Sequence, residues 1–445
     1  MDLKIVNAKL VLDGSVVDGE IGIDGGKIVA VGQVKGTFDK TLDAGGVQVL
    51  PGVIDSHVHF NDPGRDSWEG IATGSRALAA GGGTVFIDMP LNASPPTLDA
   101  KSFDAKVVAA QKSSLTDFAL WGGLTPINLD QMEELAQRGV IGFKAFMSGS
   151  GIDDFPRSDE AILEKGMRIA AKLGLLVAVH AEDEAMVSAL GQRAISAGQT
   201  AIKDYLASRP IEAEVKAITT ACDLAHSTGC SLHIVHVSSG QGIATVLEKR
   251  KAGIDVTCET CPHYLVLTED DLLRIGAAAK CAPPLRSDKE RNSLWQHLQE
   301  GHIDFIASDH SPSPISMKES QNFFNIWGGI AGVQSMLSNM LVEGHLQRNL
   351  SLSSIAKLLS SNVARRFRIP GKGKIAIGFD ADLVFIDLKS NKNLESSHLH
   401  YRHAISPYLG LLIHGLINRT LLRGQTIYHD GIFFESQGRL ITPTK

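Results

Sequence analysis

Eight short apolar runs, each closed by polar residues, constrain this chain more than any other feature of it. They are VQVLPGVID (47–55), GTVFIDMP (83–90), DFALWGG (117–123), GVIGFKAF (139–146), LLVAVHAE (175–182), SLHIVHVS (231–238), DVTCETCPHY (255–264) and IDFIASDHSP (303–312). Continuous apolar character marks strands buried on both faces of a parallel sheet. Between them lie longer stretches with helical spacing, such as SDEAILEKGMRIAAKLG (158–174) and IEAEVKAITTACDLAHSTG (211–229). Eight such alternations predict an α/β fold, a (β/α)8 or TIM barrel, with its chemistry at the carboxyl ends of the strands.

The flanks follow a different rule. LKIVNAKLVLDG and VVDGEIGIDGGKIVAVG alternate apolar with polar residues, with Asp13-Gly14 and Gly25-Gly26 at the turns. GKIAIGFDADLVFID (373–387) and RTLLRGQTIYHDG (419–431) repeat the pattern. Each end has too few strands for a layer of its own, so the two are expected to complete one small composite β-sandwich. The expected division is residues 1–50 with 371–445 for the sandwich and 51–370 for the barrel.

Charge and composition narrow the function. Lys and Arg number 43 against 49 Asp and Glu, so the basic excess of a nucleic-acid binder is missing. An apolar share of 43% is too high for a disordered chain. No apolar run reaches the ~18 residues of a membrane span. The N-terminal MDLKIVNAKLVLDG lacks the basic and apolar regions of a signal peptide. Five cysteines do not read as a disulfide framework. A cytoplasmic enzyme of small molecules, with no nucleic-acid or membrane partner, is the expectation. Cys258 and Cys261 are read as core thiols, since no second CxxC accompanies them. Gly81-Gly82-Gly83 precedes its strand and is read as a tight turn, not a phosphate loop.

The strand ends carry the chemistry. After the first run comes Asp55-Ser56-His57-Val58-His59, and residues two apart in an extended segment point the same way. His57 and His59 can therefore grip one metal ion. The fifth run reaches His180, the sixth carries His233 and His236, and the eighth ends in Asp309-His310. Imidazoles and a carboxylate converging from several strands make a site for divalent transition metals. The competing reading, a satisfied core or surface histidine, holds for most of the 16 histidines.

Lys144 interrupts the apolar strand Val140–Phe146. A buried ammonium is costly unless paired or neutralised. One solution is a salt bridge or a snorkelling amine. The other is reaction with carbon dioxide to a carbamate, whose two oxygens bridge two metals. Two divalent cations against carbamate, Asp309 and hydroxide leave a net charge of about +1, suited to a developing oxyanion.

Taken together these residues resemble the amidohydrolase superfamily, in the cyclic-amidase branch of hydantoinases, dihydroorotases and allantoinases. The resemblance spans nearly the whole chain. It is carried by PGVIDSHVHF (51–60), GFKAF (142–146), His180, His236, CPHYL (261–265), CAPPLR (281–286), SDHSP (308–312) and GKIAIGFDADLVFID. It implies that His57, His59 and Asp309 hold a more buried metal and His180 and His236 a more exposed one. It also implies Lys144 as the bridging N6-carboxylysine. Zinc is the first candidate metal, with cobalt or manganese as alternatives. Asp309 is the expected proton shuttle, taking the proton of a hydroxide that bridges the metals and delivering it to the leaving nitrogen. The family is commonly tetrameric, so a homo-oligomer is expected.

Within the branch, DPGRDSWEG (62–70), IDMPLN (87–92), DYLASRP (204–210) and IWGGIAG (326–332) are most similar to the allantoinases. Dihydroorotases usually place arginine where this chain has Asn61, and hydantoinases usually place tyrosine where it has Gly149. The resemblance places substrate contacts near Gly149, Cys281, Ala282, Ser311 and Gly328, largely through backbone groups. It implies opening of the ring amide of allantoin to allantoate, in purine catabolism. A hydantoinase or dihydropyrimidinase is the alternative enzyme, and a metal-free scaffold of the same fold the non-enzymatic one. The polar loop after the first run, Asn61 to Asp66, suits a polar ring substituent or is simply solvated.

Overall fold

A computed structural model describes residues 1–444 of the chain. All eight apolar runs form strands: Val53–Val58, Gly83–Asp88, Asp117–Leu120, Phe143–Phe146, Val177–His180, Leu232–Ile234, Val256–Thr260 and Phe305–Ile306. Neighbours pair in parallel, with Ile54 opposite Val85 and Phe143 opposite Val177. The third strand resumes at Gly122–Gly123 to meet the fourth. A parallel bridge from Val58 to His310 joins the first and eighth strands and closes the barrel.

Local chemistry sets where the helices begin and end. Asp99, Asp159, Asp183, Ser239 and Ser287 cap helix starts by accepting a backbone N–H in the first turn. Gly139 and Gly229 end helices with positive φ, which a side chain would oppose. The seventh run was read as strand through Tyr264. Its strand stops at Thr260, because Pro262 opens a short helix, Pro262–Val266.

The two ends of the chain share one mostly antiparallel nine-stranded sheet. Leu3–Leu12, Ser15–Asp24 and Lys27–Gly32 form a meander, and Gln48–Pro51 pairs with Leu383–Asn393. Ile5, Leu10, Ile21, Val49, Leu383 and Leu421 bury a common core there. The stretch read as extended from 373 becomes strand only at Leu383. Gly373 and Gly378, both with φ near +86°, turn the chain before that point. Those turns seat Lys372 in a buried clasp, 2.7 Å from Asp117 of the barrel and 2.6 Å from Asp382. The chain's end returns to the barrel, where Leu440 bridges in parallel to Phe118.

Candidate active site

The barrel gathers five strand-end residues at its carboxyl face. His57 Nε2 lies 3.2 Å and His59 Nε2 3.5 Å from the same Asp309 oxygen. His180 Nδ1 and His236 Nε2 face each other at 3.1 Å, and the His57 and His236 rings are 5.4 Å apart. All four imidazoles are buried. His236 and Asp309 hold left-handed backbone, with φ of 40° and 45°. Non-glycine residues enter that region at a cost, which is tolerated where it aims a functional side chain.

Lys144 is fully buried, and its Nζ has no hydrogen-bond partner among the described residues. Its nearest aromatic neighbour is Phe146, with the ring centroid 5.0 Å away. Burial pushes the ammonium down to about 7, and burial, with the Lys144 charge as a smaller contribution, depresses the imidazoles of His57, His180 and His236. Among the described residues no salt bridge satisfies this amine. A buried, unpartnered lysine whose charge is felt by His57, His180 and His236 fits a side chain that would hold metal as a carbamate.

Two carboxylates behind the imidazoles were missed. Glu259 accepts from His57 Nδ1 at 2.7 Å, from Ser56 Oγ at 3.0 Å and from His233 Nε2 at 3.2 Å. Burial alone would raise its pKa, but the hydrogen bonds from His233 and His57 hold it well below the ordinary value. Fixing the proton on His57 Nδ1 turns the Nε2 lone pair toward Asp309. Glu182 does the same for His180, meeting Nε2 at 2.8 Å while Arg209 neutralises it. Signals existed for both. Glu259 is a carboxylate inside a buried strand, as anomalous as Lys144, and Glu182 stands two residues past His180. His233, by contrast, stacks on Phe305 at 4.8 Å in the core. Replacing Glu259 by Gln should weaken metal binding about 10–100-fold, the usual cost of losing such a partner. Chelator competition measures this, and a change below about twofold would deny Glu259 an orienting role.

A cavity of about 770 Å³ opens above these groups. Gly149, Cys281, Ala282, Ser311 and Gly328 all line it. Some of their backbone groups are already engaged. Gly149 N–H donates to Glu184, Cys281 C=O accepts from Tyr205 Oη at 2.8 Å, and Ser311 N–H donates to Ile330. The loop after the first strand is not simply solvated. Arg65 pairs with Asp154 at 2.9 Å, and Trp68 meets Trp327 edge-to-face at 4.9 Å across the mouth. Cys258 and Cys261 are free buried thiols, as expected.

Paired imidazoles, an aspartate and an unpartnered lysine at the carboxyl end of a closed barrel define a metal-dependent hydrolase. The chain belongs to the amidohydrolase family, whose profile matches residues 48–425. Members of this family generally hold a dinuclear metal site, and His57, His59 and Asp309 form a candidate cluster for one. The chain is 53% identical to an allantoinase of Solibacter usitatus over 98% of this chain and 95% of that one. It is 52% identical to an allantoinase of Rubrobacter xylanophilus, covering 99% of this chain and 98% of the other. Among solved structures, an L-hydantoinase (dihydropyrimidinase) from Arthrobacter aurescens superposes with a TM-score of 0.96 at 33% identity, covering 99% of each chain. The chain is accordingly a hydrolase acting on a cyclic amide. No helix among the described residues is long and apolar enough to cross a membrane.

Proposed function

We propose that this enzyme opens the ring amide of allantoin to give allantoate, a step of purine breakdown. The observation that carries the reading is near-full-length identity of 41–53% to allantoinases, against 33% or less to the hydantoinases of near-identical fold. Residues 51–370 are read as the catalytic barrel, and 1–50 with 371–445 as the terminal domain. A cytoplasmic homotetramer is the proposed assembly.

His57, His59 and Asp309 would hold one divalent metal, His180 and His236 a second, and carbamylated Lys144 would bridge them, with zinc the first candidate. When bound, such ions acidify water and polarise a carbonyl. The chain's residues do the rest. Glu259 and Glu182 fix the tautomers of His57 and His180. Asp309 accepts the attacking water's proton and returns it to the leaving ring nitrogen. Cys281, Ala282, Ser311 and Gly328 present the backbone and hydroxyl groups that orient a flat, polar ring. Asn61, where dihydroorotases usually place arginine, is buried and offers no cation to a dihydroorotate carboxylate.

The test compares kcat/KM for allantoin, hydantoin, dihydrouracil and dihydroorotate on one metal-loaded preparation. Allantoin should lead by about tenfold or more, equal to ~1.4 kcal/mol of transition-state discrimination. Equal or faster turnover of hydantoin or dihydrouracil would move the enzyme to the hydantoinase class.

A further inference from the structure

One wall of the cavity is a loop whose backbone carbonyls need donors from elsewhere. Residues 323–329 follow the eighth strand and form only one short 3-10 turn, Phe323–Asn325, so most of their carbonyls lack regular partners. Two lysines supply the donors. Lys280 Nζ donates to Phe323 O at 2.6 Å, to Phe324 O at 3.3 Å and to Ile326 O. Lys318 Nζ donates to Trp327 O at 2.9 Å, to Gly329 O at 2.7 Å and to Ala277 O at 3.2 Å. Lys318 thus grips the carbonyls on both sides of Gly328.

Lys280 also ties this loop to the facing wall. Its own carbonyl accepts the Gly329 N–H at 2.8 Å, and it directly precedes Cys281 and Ala282. Its ammonium lies 4.6 Å from the Tyr205 ring centroid, and the Tyr205 hydroxyl holds the Cys281 carbonyl. Lys280 is buried and Lys318 half-buried, and burial pushes both amines down to about 7. Charge-assisted bonds of this kind are strong and directional.

We propose that Lys280 and Lys318 are positioning residues that staple the 323–329 loop, setting the Gly328 backbone and the Trp327 side chain at the height needed to grip the substrate ring. The proposal rests on the allantoin reading only for the choice of substrate. Neither lysine is assigned a part in the chemistry. Both act on how the ring is held, so their loss should appear in KM before kcat.

The experiment compares Lys318→Met, Lys318→Arg and the wild-type enzyme, each metal-loaded, by allantoin kinetics and by hydrogen exchange of the 323–329 amides. Lys318→Met should raise KM about tenfold or more, the scale of losing hydrogen bonds to a charged donor. Its kcat should stay within about threefold and its metal content unchanged, while exchange rises in 323–329 and not in the barrel strands. Lys318→Arg, which keeps a cation and several donors, should recover much of the lost affinity. If Lys318→Met does not fold, Lys280→Met, which removes the donors to Phe323, Phe324 and Ile326, takes its place. Unchanged exchange and KM in the Met variant, or altered KM with a wild-type exchange pattern, would overturn the staple. Failure of the wild-type enzyme to open allantoin would sink the substrate reading, while the exchange comparison would still decide the staple.

Discussion

Lys144→Ala should empty the site of metal and remove nearly all hydrolysis, by about 10³-fold or more. Losing the ions forfeits several kcal/mol of charge stabilisation together with water activation. A fully buried Nζ without a partner is a group that native structures rarely leave alone. Burial already pushes the ammonium toward the neutral amine, the form that reacts with carbon dioxide. Carbamate formation converts the cation that depresses His57, His180 and His236 into an anion that favours metal on those same imidazoles. Alanine removes the anion and leaves a cavity, costing about 2–5 kcal/mol by analogy with other large-to-small core changes. Metal analysis separates the two effects, since a merely loosened core would keep its ions. A short carboxylic acid diffusing into the vacated space should restore part of both metal and turnover. Normal metal content with normal turnover would refute the carbamate.

What the sequence displayed, and what it hid, follows from range. The eight strands were legible because a strand buried on both faces must be continuously apolar, and the candidate ligands stood out as polar residues where those runs stop. Lys144 was legible for the same reason. Glu259 obeys the same logic, but it stands between Cys258 and Cys261, whose CxxC spacing is the more familiar metal signal. The left-handed backbone at His236 and Asp309 had no local signal, because neither residue type requires it and only the closed barrel holds it there. The ties over the mouth were hidden by separation: Arg65 and Asp154 stand 89 positions apart and Lys280 and Ile326 stand 46 apart. The terminal sheet was legible by its alternation, but not the turn at 373–382, where Lys372 is held by acids from two parts of the fold.

Asp309→Asn should fold normally and lose about 10²–10⁴-fold in kcat, the range for removing a general base. The substitution is nearly isosteric, and asparagine enters the left-handed region at φ 45° as readily as aspartate does. The backbone that aims this side chain therefore has no reason to move. Charge is what changes. Burial alone would raise the Asp309 pKa, yet His57 and His59 beside it hold it below the ordinary carboxylate value, so the wild-type group is an anion at rest. The amide N–H2 can turn toward the His57 Nε2 lone pair, which lies 3.2 Å from the Asp309 oxygen in the wild type, but an amide cannot take a proton from water. Two consequences separate this from a folding defect. The thermal midpoint should stay within a few degrees, as expected for a change that costs little packing. Metal should remain bound, since His57, His59, His180 and His236 are untouched, with any loss confined to the ion that Asp309 contacts. If metal is retained and turnover still falls, the proton path runs through Asp309. If metal is retained and turnover stays near normal, another group moves the proton, and His263, a buried imidazole with neither ring nitrogen hydrogen-bonded among the described residues, is the next to test.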